Sequence, residues 1–360
     1  MWKADVARPS RTGITGYTGG DIFHVLNEAH PDFEYSVLVR DESKAAPVKQ
    51  RYPNVRIVYG SLDDSKLLEE EAAKTKILIH TADASDHEGA AKAFTAGLAA
   101  GHSKDNPAYW IHTGGTGILT YHDADAERYG EPLAYEPYND LEGVEALTNL
   151  PDHAFHRNVD KIVLAAGNNP AIKSAIVCPP TIYGKGRGVG NTKSRQVYVM
   201  ARTTLARGKA PIIGPGKSEW DHVHVHDLSN LYLKLVDAAV SPTPEVDRHV
   251  WGAGENYLLA DAGSHVWGEV AQWVADAAQA KGYIKDAAVE LTDTAKSLDL
   301  THAKEIAGFE AVSYGLNSRG QGKRARKYLG WNPTAPSLKA EIPNIVDVEA
   351  TSSGLKSSQS

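Results

Sequence analysis

Thr12-Gly13-Ile14-Thr15-Gly16-Tyr17-Thr18-Gly19-Gly20-Asp21 is the stretch whose reading decides the fold. Glycines recur at Gly13, Gly16 and Gly19. The first permits a tight strand-to-helix turn, the second lets the backbone approach a pyrophosphate, and the third lets the following helix pack close to a sheet. The N–H groups that open such a helix, together with its dipole, hold phosphate oxygens. Three glycines are weak evidence alone, and gain weight only in a strand–turn–helix context.

That context follows downstream. Short apolar runs occur at Tyr35–Val39, Val55–Tyr59, Ile77–Ile79, Tyr109–Ile111 and Ala175–Val177. Helical patterns lie near Gly19–Ala29, Asp64–Lys74, Asp86–Ala100 and Asp152–Ala166. Continuous apolar runs suit strands buried on both faces, and their alternation with helices predicts an α/β fold with a doubly wound parallel sheet. The turn is therefore expected to bind a dinucleotide. Upstream lies a conflict: Met1–Arg11 is polar and contains Pro9, where a buried central strand is required. The first strand is expected to be very short or irregular, unless the start of the chain is altered.

Beyond residue 180 the pattern loosens. Glycine and proline gather at Gly184–Gly190 and Ile213–Gly216, and helices are expected near Gln196–Arg207, Asp227–Ala239, Ser264–Ala280 and Asn317–Leu329, with Asp227 and Ser264 as N-caps. The expected division is a nucleotide-binding core over residues 12–180, a smaller C-terminal substrate lobe over 181–345 with elements returning to the core, and a Ser-rich disordered tail over 351–360.

The chain has 360 residues and a net charge of −7, without a basic field to attract nucleic acid or an anionic membrane. Its one cysteine, Cys178, rules out an internal disulfide and fits a reducing compartment. No run is long enough for a membrane helix, and the first residues lack the apolar core of a secretion signal. The cytoplasm is the expected location, with a small-molecule substrate, no nucleic-acid partner and no membrane partner.

Two further patterns carry chemistry. Along Trp220–Asp227, His222, His224 and His226 alternate, which on a strand would place them on one face; a structural or substrate-facing role is favoured and no metal is expected. Gly184-Lys185-Gly186-Arg187-Gly188 resembles a phosphate cradle but lacks the P-loop spacing and its following Ser or Thr. Lys185, Arg187 and Arg195 are candidates to meet an anionic substrate, or exposed loop charges.

Taken with Leu38–Asp41, Gly60–Asp64, His80–Ala84, Ile111–Gly117, Cys178–Gly186, Val223–Leu228 and Arg324–Pro333, the glycine turn resembles the extended short-chain dehydrogenase/reductase family, in its atypical NAD-dependent epimerase/dehydratase-like branch. The resemblance spans about residues 12–335 and implies a Rossmann-type core. It places Gly13, Thr15, Gly16, Tyr17, Thr18 and Gly19 on the pyrophosphate. Arg40 falls at the adenosine ribose, where its planar fork suits a 2′-phosphate and favours NADP over NAD. Leu62 and Asp63 would approach the adenine; Thr81, Ala82 and Ala84 the ribose and nicotinamide; Pro179, Thr181 and Ile182 the nicotinamide. Family habit also implies a possible homodimer.

The family's chemistry uses a Tyr four residues before a Lys on one helix, with a Ser or Thr orienting the substrate oxygen. Here Lys161 stands before an apolar run, but four residues earlier is Arg157, which stays protonated and cannot be a general acid. The implied catalytic set is Lys161 on the ribose, Thr116 (or Thr113) on the substrate oxygen, and His156 as proton donor, with Tyr121 or Tyr138 as substitutes. Arg157 could attract an oxyanion or an acidic substrate. Two functions follow: an NAD(P)-dependent reductase of a carbonyl or related molecule, with epimerase-like hydride chemistry as a variant, or a non-catalytic NADP sensor.

Overall fold

A computed structural model of the chain describes residues 9–252, 254–292, 307–308 and 310–356. Its first half alternates strand and helix: β1 (Pro9–Arg11), α1 (Tyr17–Ala29), β2 (Ser36–Val39), α2 (Glu42–Arg51), β3 (Arg56–Tyr59), α3 (Ser65–Ala72), β4 (Ile77–His80), α4 (Glu88–Gly101) and β5 (Ala108–Thr113). Short elements α5 (Tyr121–Asp125), β6 (Tyr138–Asn139) and α6 (Val144–Thr148) lead to α7 (Arg157–Ala166) and β7 (Ile172–Cys178). A second group follows: β8 (Thr181–Tyr183), α8 (Gln196–Arg207), β9 (Ala210–Ile213), β10 (Glu219–His224), α9 (Val225–Val240), α10 (Pro244–Val250), β11 (Tyr257–Leu259), β12 (Ser264–Val266) and α11 (Trp267–Ala280).

Seven strands form one parallel sheet in the order β3-β2-β1-β4-β5-β7-β11. Each face is buried, as the apolar runs require. One side packs α1 and α9 through Phe23, Leu26, Leu231 and Leu235; the other packs α3, α4 and α7 through Leu68, Phe94, Val159 and Val163. A separate apolar cluster, built from α8, α11 and the helix Leu338–Ser352, forms the second lobe. Strand order reverses between β1 and β4, and open α/β sheets bind ligands at the carboxyl ends of the strands flanking such a point.

The polar N-terminal stretch does contain the central strand, three residues of which are described. Pro9 is tolerated as the first residue of the strand, and Ser10 and Arg11 pair with both β2 and β4. Arg11 occupies a site that the sheet would fill with an apolar residue. It is buried, its guanidinium lies 5.3 Å from the Phe23 ring, and both terminal nitrogens lack an acceptor among the described residues. Burial lowers its pKa to about 10.

The second half departs from expectation in four places. Ser264 begins strand β12 rather than capping α11, whose N-cap is Val266. Helix α9 starts at Val225 behind His224, whose ring accepts the His226 N–H; Asp227 instead receives the N–H groups of Thr334 and Ala335. His226 thus sits on a helix, and the three alternating histidines do not share a strand face. Helix is confined to Arg324–Leu329 within the expected 317–329. Of the tail, residues 351–352 end a helix and 357–360 lie outside the described residues.

Candidate active site

The glycine turn is built as its spacing demands. Gly13 has φ +83°, and a Cβ there would stand 2.5 Å from Thr81 Oγ1. A Cβ on Gly19 would collide with the Gly13 carbonyl oxygen, and one on Gly16 would come to 3.2 Å of it. The turn is stapled to the end of β4: Thr12 Oγ1 accepts N–H groups from Thr81 and Ala82 at 3.2 Å, and Thr81 Oγ1 donates to the Thr12 carbonyl at 2.6 Å. Helix α1 opens directly from Gly16, so its first-turn N–H groups, which have no intrahelical acceptor, face the crevice.

Two cavities meet at this turn, with Gly16 and Thr81 in both. One, of about 570 Å³, is bordered by Gly13, Thr15, Arg40, Lys44, Leu62, Asp63 and Ala82. The other, of about 490 Å³, is bordered by Tyr17, Thr18, Gly19, Ala84, Asp86, Thr116, His156, Pro179 and Ile182, and on the second-lobe side by Asn191, Lys193, Arg195, Trp220 and Glu310. Two chambers joined at an anion cradle match an adenosine half and a nicotinamide half joined by a pyrophosphate. The residues present therefore fit a nicotinamide dinucleotide.

In the second chamber His156 is held in an uncommon way. It is the N-cap of α7 in the left-handed region, φ 70°, which is uncommon for a non-glycine residue. Its Nδ1 bonds Asp86 Oδ1 at 2.7 Å. Its Nε2 faces the segment carrying Thr116: a Cβ on Gly115 or Gly117 would lie 3.5 or 3.4 Å from it. The His156 bond holds the Asp86 carboxyl below its ordinary pKa. Thr116 Oγ1 is buried without a partner among the described residues, a polar atom left for a ligand to satisfy. Opposite, Arg195 pairs with buried Glu310 at 2.8 Å, and burial pushes that carboxyl upward.

Other expected residues lie elsewhere. Lys161 is half-exposed outside the cleft, paired with Asp152 at 2.7 Å. Arg157 turns inward and donates to the Thr148 carbonyl at 2.6 Å, away from both chambers. The helix starts five residues later than expected, and His156 rather than Arg157 borders the cleft. Thr181 is fully buried in β8 and borders neither chamber. Thr113 borders the second chamber, but its hydroxyl is taken by Tyr232 at 2.6 Å. Tyr121 and Tyr138 bond each other at 2.8 Å and border neither chamber. Asp86 and Lys44 went unnoticed in the sequence; nothing in a loop after β4 or the first turn of α2 announces them.

A model of the NAD-dependent epimerase/dehydratase family matches residues 129–247. The oxidase ucsJ of an Acremonium species is 38% identical over 349 residues, covering 96% of this chain and 98% of that protein. The chain belongs to the NAD-dependent epimerase/dehydratase family. Among solved structures, the dTDP-glucose 4,6-dehydratase DesIV of Streptomyces venezuelae, with NAD and TYD bound, superposes with a TM-score of 0.66 at 15% identity, covering 96% of this chain and 98% of that one. A UDP-glucose 4-epimerase of Thermotoga maritima with UDP-glucose gives 0.62 at 14% identity, covering 96% and 99%. These likenesses establish the Rossmann-type fold of the extended short-chain dehydrogenase/reductases. As a family member with a full-length relative named an oxidase, the chain is an enzyme of the nicotinamide-dependent oxidoreductase type. The expectation of a non-catalytic sensor gives way to this. No helix among the described residues is long and apolar enough to cross a membrane.

Proposed function

We propose that this family member is an NADP-preferring oxidoreductase acting on a hydroxyl or carbonyl carbon of a small molecule, with His156 and Asp86 as its proton-handling pair. The observation that carries the reading is the 2.7 Å bond between His156 Nδ1 and Asp86, which leaves Nε2 toward the chamber. A carboxylate on Nδ1 fixes the tautomer and stabilises the imidazolium. The cofactor, when bound, supplies or accepts the hydride. Protonated His156 donates to the carbonyl oxygen in reduction; neutral Nε2 accepts the hydroxyl proton in oxidation. Thr116 Oγ1 orients the same oxygen. The role expected of the family Tyr passes to a histidine. Arg40 and Lys44, both on the adenosine chamber, supply two cations for a 2′-phosphate.

Fluorescence titration with NADPH and NADH tests the cofactor, and a panel of alcohols and carbonyls tests the chemistry. Arg40→Ala with Lys44→Ala is expected to weaken NADPH at least tenfold while leaving NADH unchanged; equal loss of both would end the NADP assignment. His156→Ala is expected to lower kcat by about 10²–10⁴-fold, the usual worth of a positioned acid–base group. Full activity in that variant would remove His156 from the mechanism.

A further inference from the structure

The glycine-rich segment over residues 184–193 has no place in the proton or hydride chemistry, yet it is fastened at several points to the cofactor turn and the start of α1. The buried Tyr17 hydroxyl, from the first residue of α1, donates to the Gly184 carbonyl at 2.7 Å, and Tyr198 donates to the same oxygen from α8. Arg187 forms a fork on Asp21: Nε to Oδ2 at 3.0 Å and Nη2 to Oδ1 at 2.7 Å, while its own backbone N–H donates to Oδ2 at 2.8 Å. Ser229 of α9 completes the shell of that fully buried carboxylate, donating to Oδ1 at 2.6 Å. Asn191 N–H donates to the Thr15 carbonyl at 3.0 Å, inside the turn itself.

Between these bonds the contact is backbone on backbone. A Cβ on Gly188 would stand 2.7 Å from Gly20 Cα, and one on Gly190 would collide with the Thr15 carbonyl. Side chains at an interface can yield by changing rotamer; two backbones in direct contact cannot, so displacement of one moves the other. The segment then runs on into Asn191, Lys193 and Arg195, which border the nicotinamide chamber.

We propose that residues 184–193 are a strap that holds the pyrophosphate turn in its ligand-holding shape from the second lobe, with Arg187 and Asp21 as the clasp. Arg187 is a positioning residue: it acts on the dinucleotide through the α1 backbone. The proposal rests on the nicotinamide-cofactor reading above, and it places the sequence's unexplained Gly-Lys-Gly-Arg-Gly run in the service of that site.

The test compares two ligands. NADPH spans both chambers and lays its pyrophosphate on the turn; adenosine 2′-monophosphate has no pyrophosphate and occupies the adenosine chamber alone. Arg187→Met removes the fork, Arg187→Lys keeps the charge, and Gly188→Ala prises the strap from Gly20 at a position whose φ is not positive. Arg187→Met and Gly188→Ala are each expected to weaken NADPH at least tenfold and to leave adenosine 2′-monophosphate within twofold, with Arg187→Lys between wild type and Arg187→Met. Should Arg187→Met fail to fold, Gly188→Ala and Arg187→Lys decide the matter. Unchanged NADPH affinity in Gly188→Ala, or parallel loss of both ligands, overturns the strap. A wild-type protein that binds neither ligand overturns the cofactor reading itself, a distinguishable result.

Discussion

At the scale of single residues, Arg11 and His156 show two kinds of local misfit. Arg11 fills a core position in the central strand with a charge whose terminal nitrogens, among the described residues, find an aromatic ring and no acceptor. Desolvation of a guanidinium costs several kcal/mol, and one cation–π contact offsets a small part of it. Replacing such a group by an apolar residue of similar volume is neutral to stabilising, so Arg11→Leu is expected to raise stability by about 1–3 kcal/mol. Urea unfolding of both forms checks this; a less stable variant would mean that the guanidinium has an acceptor outside the described residues. His156 is different: its left-handed backbone is strain at a cleft, aimed by Asp86 and facing Thr116. The sequence exposed the first misfit, because Pro9 and Arg11 stand out before Gly13. It offered His156 only as a substitute for a missing Tyr, since the partner Asp86 is 70 residues away in the chain.

Among elements, the glycine turn was legible and α7 was not. Gly13 and Gly19 leave no room for a Cβ and Gly16 stands close to the Gly13 carbonyl, so local spacing carried most of the message. Gly19→Ala forces a methyl into the Gly13 carbonyl and is expected to abolish NADPH binding, with a stability loss of about 1–3 kcal/mol from overpacking. Gly208→Ala is the control: φ is +74° but the space around it is open, so it should cost stability by strain alone and leave binding intact. Titration and thermal melts of both variants separate crowding at the turn from general backbone strain. Helix α7 misled because the periodic pattern ran back to Asp152, whereas the chain enters the helix only after His156. One residue corresponds to about 100° around a helix, so with His156 rather than Arg157 at the cleft the four-residue spacing points to Asp160, and Lys161 lies at the surface.

Over the whole molecule, long-range polar contacts join elements that no local pattern connects, and Asp160 is the clearest of these. It is fully buried on α7, accepts the Tyr257 hydroxyl of β11 at 2.6 Å, and lies 3.9 Å from buried His112 of β5. Burial raises its pKa from 3.8 to about 6, and the Tyr257 bond only partly opposes this. The folded state therefore keeps this proton at a pH where the unfolded chain has released it. Between about pH 4 and pH 6 the folded form binds the extra proton, so this group costs stability as pH rises, and the cost is complete above about pH 6. A shift of this size corresponds to about 3 kcal/mol. Asp160→Asn retains an acceptor for Tyr257 and removes the titration. Its stability relative to wild type is expected to improve by about that amount between pH 4 and pH 7, read from urea midpoints across the range. Parallel curves would show that Asp160 stays ionised in the folded protein, and that His112 and Tyr257 compensate its burial more fully than their distances imply.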